Sequence, residues 1–300
     1  MSKGRPLSDE ERARRRAEDR DRLKQAARAL LSSDGWQQWV RVRSRNGLSR
    51  YSLRNQLLIA LQAPHASFVS GFHAWHDLGR TVAKGQRGIR ILAPMPIRDR
   101  DETATKQAAD DGDRVRTLFK SVAVFDVSQT EALPSREAVV LEAPSQPITG
   151  DSHAHLLDPL TGFAARLGYR VEHRTLNGPA GGWCDVEHKL IVVDAGKPAN
   201  ARVRVLVHEL AHAMGIGYTE LGRERAEVMV DCVTYIVCGQ LGLDTAGESI
   251  PYVAGWGQDG ALDAIQAYAQ TIDEVARRIH DAITAAQDAS LQDSEHQAAA

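Results

Sequence analysis

Cysteine and long hydrophobic runs are both scarce in this chain of 300 residues. Its three cysteines, Cys184, Cys232 and Cys238, form no CxxC pair and are odd in number. Such a set is typical of a disulfide-free fold in a reducing compartment. No apolar run approaches the roughly 20 residues of a membrane span, and the N-terminus begins with charged residues rather than with a signal peptide. The sequence therefore predicts a cytoplasmic protein without a membrane anchor.

The net charge of −2 is small, but the charge is unevenly distributed. Residues 1–100 carry 21 lysines and arginines against 9 acids, whereas residues 101–300 carry 16 against 30. Within residues 36–92 there are nine basic residues and a single acid, Asp77. A basic half joined to an acidic half indicates that the basic half binds a polyanion.

The basic segment also contains the aromatic residues that a nucleic-acid strand requires, because cations follow its phosphates while flat rings stack on its bases. Its aromatic residues are Trp36, Trp39, Tyr51, Phe68, Phe72 and Trp75. The alternative is that these rings form a hydrophobic core. The sequence Lys-Gly-Gln-Arg-Gly at 84–88 is predicted to be a turn whose glycines allow close backbone approach and whose two cations hold a phosphate. It also fits an ordinary exposed hairpin turn.

The most informative motif is His-Glu-Leu-Ala-His at 208–212, within an apolar run that ends at Gly215. On a helix, His208 and His212 share one face and can bind one Zn²⁺, while Glu209 can act as general base on a metal-bound water. A predicted hairpin at 183–193 comes just before this helix, which is the usual order in zinc peptidases. The alternative is a helix with two buried, hydrogen-bonded histidines.

A catalytic zinc usually has three protein ligands, so a third ligand is expected. Tyr218 stands where the longer HExxHxxGxxH pattern would have its third histidine. The predicted helix 223–241 instead offers Glu224, Glu227 and Asp231 on one face. We favour Glu227 as the ligand, with Asp231 and Glu224 as alternatives, and Asp231 could instead orient a ligand histidine. The ligand set suits Zn²⁺ and also tolerates Mn²⁺.

Hydrophobic periodicity predicts mixed helices and strands along the chain. The predicted helices are 21–31, 36–45, 53–62 (capped by Ser52), 72–78, 154–167, 201–215, 223–241 and 262–284. The predicted strands are 89–92, 118–127, 169–172 and the hairpin 183–193. Residues 1–20 are predicted as a solvated arm, 98–114 as a loop or disordered insert, 133–150 as the connection between two domains, and 285–300 as a polar tail.

Several blocks, taken in order, resemble the ArdC family of antirestriction proteins, which are encoded on plasmids and other mobile elements. The blocks are Tyr51–Ile59, Gly71–Arg80 followed by Lys84–Pro94, Val124–Thr130, His208–His212 and Pro251–Trp256. The resemblance covers roughly residues 34–285. It implies an N-terminal domain that binds single-stranded DNA and a C-terminal zincin-like metallopeptidase domain.

The resemblance assigns roles to particular residues. It implies that His208, His212 and Glu227 bind the metal and that Glu209 is the catalytic base of a gluzincin-like site. The residues that we expect to contact DNA are Arg50, Tyr51, Arg54, Asn55, Trp75, Arg80, Lys84, Gly85 and Arg87.

The predicted fold class is α+β with two domains. The predicted segments are a charged N-terminal arm and helix (1–32), a basic α+β domain for single-stranded DNA (33–130), a linker (131–150), a zincin-like metallopeptidase domain with the HExxH helix (151–285) and a polar tail (286–300).

The favoured function is a single-stranded DNA-binding antirestriction protein of a mobile element, with a metal-dependent peptidase-like domain. The main alternative is an active zinc metallopeptidase that cleaves a DNA-associated protein, with the basic domain only for targeting. A third reading is a purely structural metal site. The sequence identifies neither a protein substrate nor an oligomeric state.

Overall fold

The computed structural model describes residues 9–45, 47–48, 50–98, 115–134, 148–244 and 262–298. Helices and small sheets are mixed along these residues, which confirms the predicted α+β class. Among them, no helix is both long enough and apolar enough to cross a membrane.

Packing divides the chain into two compact units. The first unit consists of Met1–Leu23 and Val69–Val139, and the second consists of Lys24–Phe68 and Val140–Ala300. This division does not follow the predicted domain boundaries, because residues 24–68 pack with the C-terminal part of the chain. Helix α1, Asp9–Ala29, contains the division point. The predicted functional segments therefore stay predictions.

The first unit is built on a three-stranded antiparallel sheet of order β1-β4-β3. Its strands are β1 (Val69–Gly71), β3 (Ile89–Arg98) and β4 (Val115–Asp126), and helix α4 (Phe72–Asp77) follows β1 directly. Strand β2 (Arg80–Val82) pairs antiparallel with β5 (Thr130–Ala132), which follows a short 3-10 helix at Val127–Gln129. One sheet face buries Ile89, Ile91 and Val124, because side chains in a strand alternate between faces.

The second unit contains a sheet of order β6-β8-β7. Strand β6 (Arg170–Arg174) runs parallel to β8 (Leu190–Asp194), and β7 (Gly182–Asp185) pairs antiparallel with β8, which confirms the predicted hairpin. All five residues of β8 are buried. The unit's helices are α2 (Ser33–Arg43), α3 (Leu53–Gln62), α5 (Leu157–Arg166, after a 3-10 helix at Ala154–Leu156), α6 (Ala199–Ala213), α7 (Tyr218–Leu221), α8 (Arg223–Gln240) and α9 (Leu262–Ala298).

The predictions for the N-terminal and the C-terminal segment of the chain both need correction. Helix α1 begins at Asp9, where a solvated arm was expected, and the side chains of Arg14, Glu18 and Arg22 pair at i,i+4 spacing along it. Such pairs stabilise an exposed helix. Helix α9 continues to Ala298, where a polar tail was expected from residue 285. The sequence there is rich in alanine and glutamine and contains neither proline nor glycine, so helix propensity continues.

Three other sequence features lie mainly outside the described residues. They are the predicted insert at 98–114, most of the connection at 133–150, and the block Pro251–Trp256.

Helices α2, α3 and α9 share a buried polar network in the second unit. Arg43 and Asp273 are fully buried, and Nε of Arg43 donates to Oδ1 of Asp273 at 2.5 Å. Gln56 donates to the same oxygen at 3.0 Å and accepts a hydrogen bond from the indole of Trp39 at 3.2 Å. Trp36 and Trp39 are fully buried, so these two rings belong to the core.

Candidate metal centre and candidate nucleic-acid contacts

Helix α6 carries the two motif histidines. Its buried positions, including Val203, Leu206, Val207 and Leu210, form the stripe that packs the helix into the unit. His208 and His212 are one turn apart, and their ring centroids are 5.2 Å from each other. The helix thus sets the spacing that the sequence predicted.

Helix α8 packs against α6 and brings Glu227 to the two histidines. One Oε of Glu227 lies 3.6 Å from Nε2 of His208, and the other lies 3.9 Å from Nε2 of His212. Ligand atoms of these three residues all lie within 4.8 Å of one another. The structure therefore brings together the three predicted ligands. Glu224 is exposed and lies outside this cluster.

The ring of His212 is held by the backbone that follows α6. Its Nδ1 atom lies 2.8 Å from the carbonyl oxygen of Ile216, which can only accept, so Nδ1 carries the proton. The lone pair of Nε2 is then directed away from that carbonyl and is available for a metal. The carbonyl reaches the ring because Gly215 turns the chain at a φ of +106°. Sequence reasoning missed this contact, for which Gly215 was the available signal.

His208 is oriented by Asp231, one turn after Glu227 on α8. Oδ1 of Asp231 lies 3.3 Å from Nδ1 of His208. Burial lowers the pKa of His208, but the hydrogen bond that its Nδ1–H donates to Asp231 and the nearby carboxylates outweigh burial and raise the pKa overall. Asp231 thus stands where an orienting carboxylate would stand, on the nitrogen that does not face Glu227.

Tyr218 at the start of α7 occupies the position of the third histidine in the longer motif. Its hydroxyl donates a hydrogen bond of 2.5 Å to Glu227, and its ring packs edge-on against His212 with centroids 5.2 Å apart. Burial and this hydrogen bond raise the pKa of Tyr218 to about 12. The tyrosine therefore stays protonated and serves as a donor beside the cluster.

Glu209 is buried on α6 beside the cluster, with 6% of its surface exposed. Burial raises the pKa of this carboxyl to about 7, with repulsion from Glu227 adding to the effect and His208 opposing it. Its place in the motif, directly after His208, is that of the general base in HExxH sites.

The cluster fits a tetrahedral metal ion. Ligand atoms about 2.0–2.2 Å from such an ion are roughly 3.3–3.6 Å from one another. The separations of Glu227 from His208 and His212 are close to this range. Two imidazoles and one carboxylate are also the donor set of catalytic zinc sites.

The predicted DNA contacts in the first unit lie mostly on an exposed turn. Lys84, Gly85 and Arg87 are exposed, and Gly85 has a φ of +86° with open space around it. Gln129 fixes the turn by donating to the carbonyl oxygen of Arg87 at 2.9 Å. Arg80 is half-buried and donates through Nε to the hydroxyl of Thr130 at 2.7 Å, so part of its side chain has a structural role.

Two predicted DNA contacts are buried. Trp75 is 0% exposed, and its indole donates to the carbonyl oxygen of Phe125 at 3.0 Å. Its ring has no free face for a base, so Trp75 is a core residue and the prediction is corrected. Asn55 is 9% exposed on α3, which leaves little surface for a nucleic-acid strand.

The remaining predicted contacts lie in the second unit. Arg50 is exposed, and its guanidinium lies 4.7 Å from the ring centroid of Phe68 and 5.4 Å from that of Tyr51. Tyr51 is half-buried, and burial raises its pKa. Arg54 is exposed on α3.

Fold and site together describe an α+β protein with a His-His-Glu cluster on two packed helices. Residues 22–125 match the family model of the N-terminal domain of the anti-restriction factor ArdC. Residues 22–125 therefore belong to the family of ArdC N-terminal domains.

Solved structures and a curated relative are also similar to the chain. The metal-free crystal structure of the antirestriction protein ArdC from plasmid R388 matches with a TM-score of 0.52 and 17% identity, over 89% of this chain and 96% of that one. The fold is therefore shared. The Mn(II)-bound structure of the same protein matches with a TM-score of 0.42 and 16% identity, over 76% and 80% of the two chains. An uncharacterized Bacillus anthracis protein is 26% identical over 246 residues, which are 71% of this chain and 41% of that protein. The chain thus spans about two fifths of the length of that relative.

Proposed function

We propose that this protein is a single-stranded DNA-binding antirestriction factor of a mobile element, with a metal-dependent, peptidase-like site. The observation that carries the proposal is the match of residues 22–125 to the ArdC N-terminal domain. The exposed cations of the turn 84–88, which Gln129 holds in place, are consistent with phosphate binding.

His208, His212 and Glu227 would hold the metal, which we expect to be Zn²⁺, with Mn²⁺ as the alternative. A bound metal of this kind supplies a water of lowered pKa and polarises a carbonyl group. Glu209 would take the proton from the attacking water, and Asp231 would keep the ring of His208 in the orientation that directs Nε2 toward the metal. Tyr218 would keep Glu227 in place through its hydroxyl hydrogen bond.

DNA binding is tested by fluorescence anisotropy of a labelled single strand, with matched duplex as competitor, over a salt series. We expect affinity that falls steeply with salt and a preference for the single strand. A clear preference for duplex, or no binding at low salt, would contradict the central part of the proposal.

An active metallopeptidase, targeted by the basic segment, is the second candidate. The position of Glu209, buried on α6 directly after the candidate ligand His208, favours it. The metal-loaded full chain is incubated with labelled casein, and Glu209→Gln serves as the matched variant because it preserves side-chain size. We expect the variant to retain the metal and to lose any cleavage that the unaltered protein performs. Equal cleavage by both proteins would contradict the role of Glu209.

A further inference from the structure

One face of the first unit's sheet carries an aromatic side chain near each of its ends. Phe119, Ser121, Ala123 and Phe125 alternate along β4 and therefore share a face. In the antiparallel register Arg90 of β3 is opposite Ala123, so its side chain belongs to the same face. We call these five positions the aromatic sheet face.

The aromatic sheet face is open to solvent at both ends. Phe119 is 61% exposed at one end. At the other end Phe72, the first residue of α4, is 54% exposed and packs edge-on against Phe125 with ring centroids 6.3 Å apart. Phe125 is six positions after Phe119 along the strand, which is a distance of about 20 Å. Small side chains, Ser121 and Ala123, lie between them and leave a shallow floor.

The basic turn adjoins this face. A Cβ atom added to Gly88 would lie 2.8 Å from Cβ of Ala123 and 3.2 Å from the ring of Phe125, so the turn rests directly on the face. Only glycine permits this approach, and Arg87 is its chain neighbour. Arg90 is exposed on the face itself. None of the face's five residues is acidic.

We propose that the aromatic sheet face, together with Phe72, is the platform on which unpaired bases of the DNA strand stack. This inference rests on the proposed function and adds its base contacts. Aromatic rings exposed to water are unfavourable, whereas rings that stack on bases are stabilising. The cations beside these rings carry the positive charge that attracts phosphates. The cations of the turn and Arg90 then hold the backbone while Phe119 and Phe72 hold bases. Duplex DNA, whose bases are already stacked and paired, gains nothing from these rings.

The test compares variants of the full-length protein by anisotropy on two labelled strands of equal length, one normal and one fully abasic. Phe119→Ala is expected to bind the normal strand about 5- to 100-fold more weakly than the unaltered protein. On the abasic strand the two proteins should bind equally, and the salt dependence should be unchanged because no cation is removed. Phe119→Trp should restore affinity and should show quenching of its own fluorescence on binding.

The matched control is Met95→Ala. Met95 is 41% exposed on the same β3–β4 hairpin, but its register partner is Leu118, which places it on the opposite face. This variant should bind both strands as the unaltered protein does. A melting curve for each variant checks that the fold is intact.

Three results would overturn the inference, in different ways. If the unaltered protein binds the normal strand and Phe119→Ala binds it equally well, the platform is wrong and the proposed function stands. If the unaltered protein binds no single strand at low salt, the proposed function fails and the platform with it. An equal loss on normal and abasic strands would also overturn base stacking.

Discussion

Oδ1 of Asp231 lies 3.3 Å from Nδ1 of His208, on the nitrogen that does not face Glu227. Removing such a partner commonly weakens metal affinity about 10- to 100-fold while leaving the ligands in place. We therefore expect Asp231→Ala to bind Zn²⁺ more weakly by this factor, measured by competition with a chromophoric chelator. Glu224→Ala is the control, because Glu224 lies on the same helix outside the cluster. An equal loss of Zn²⁺ affinity in both variants would mean that Asp231 acts only through its negative charge and not through its contact with His208.

Metal removal should lower thermal stability. A ligand that binds only the folded state at 100 times its Kd stabilises it by about 2.7 kcal/mol. We expect the melting temperature to fall when chelator is added and to recover when Zn²⁺ or Mn²⁺ is restored in excess. The Glu227→Gln variant should lose most of this response, because it keeps the shape of the side chain but removes its charge. The same response in the variant would contradict the assignment of Glu227 as a ligand.

The buried ion pair between Arg43 and Asp273 should be essential for the second unit. Replacing Arg43 with methionine leaves Asp273 with the partly exposed Arg277 as its remaining cation, so the cost should lie at the lower end of the about 3–5 kcal/mol of a broken buried pair. We expect this loss in the free energy of unfolding, measured by urea denaturation. The double variant Arg43→Met, Asp273→Leu should be less destabilised than the single change, since no charge is left buried. Arg278→Ala, on the exposed side of α9, should have little effect.

Lys84 and Arg87 should contribute to DNA affinity through phosphates. Each phosphate contact that is lost should reduce the slope of log affinity against log salt by about 0.7 for a single strand. We expect the double variant Lys84→Ala, Arg87→Ala to bind more weakly at low salt and to have a shallower slope. Arg278→Ala removes an exposed cation elsewhere and should leave the slope unchanged. An unchanged slope in the double variant would remove the turn from the interface.

Local patterns predicted much of the fold and the centre of the site. Helix α3 has the predicted bounds, since an apolar run with a serine before it and a proline after it leaves few alternatives. The HExxH helix and the hairpin before it also have strong local signals. The position of Glu227 relative to His208 depends on the packing of α8 against α6, and spacing along α8 left Glu224 and Asp231 as alternatives.

Tertiary contacts explain the failures. Trp75 looked available for stacking because aromatic residues among cations are typical of nucleic-acid surfaces, but its burial depends on strand β4, fifty residues further along. The local sequence does not indicate that Phe119 is exposed, because its exposure follows from sheet register rather than from its neighbours in sequence. Gly215 was the only local signal for the contact between His212 and the carbonyl of Ile216, because motifs of side chains do not describe backbone atoms.

The ion pair between Arg43 and Asp273 limits how the two parts of this chain can be exchanged by recombination. The segment that matches the ArdC N-terminal domain contributes helices α2 and α3 to the same compact unit as the HExxH helix. A recombination event that joined residues 22–125 to an unrelated C-terminal sequence would inherit a guanidinium in the core without the carboxylate that neutralises it. The two parts of the gene are thus expected to be transmitted together, and recombination should favour whole genes over halves.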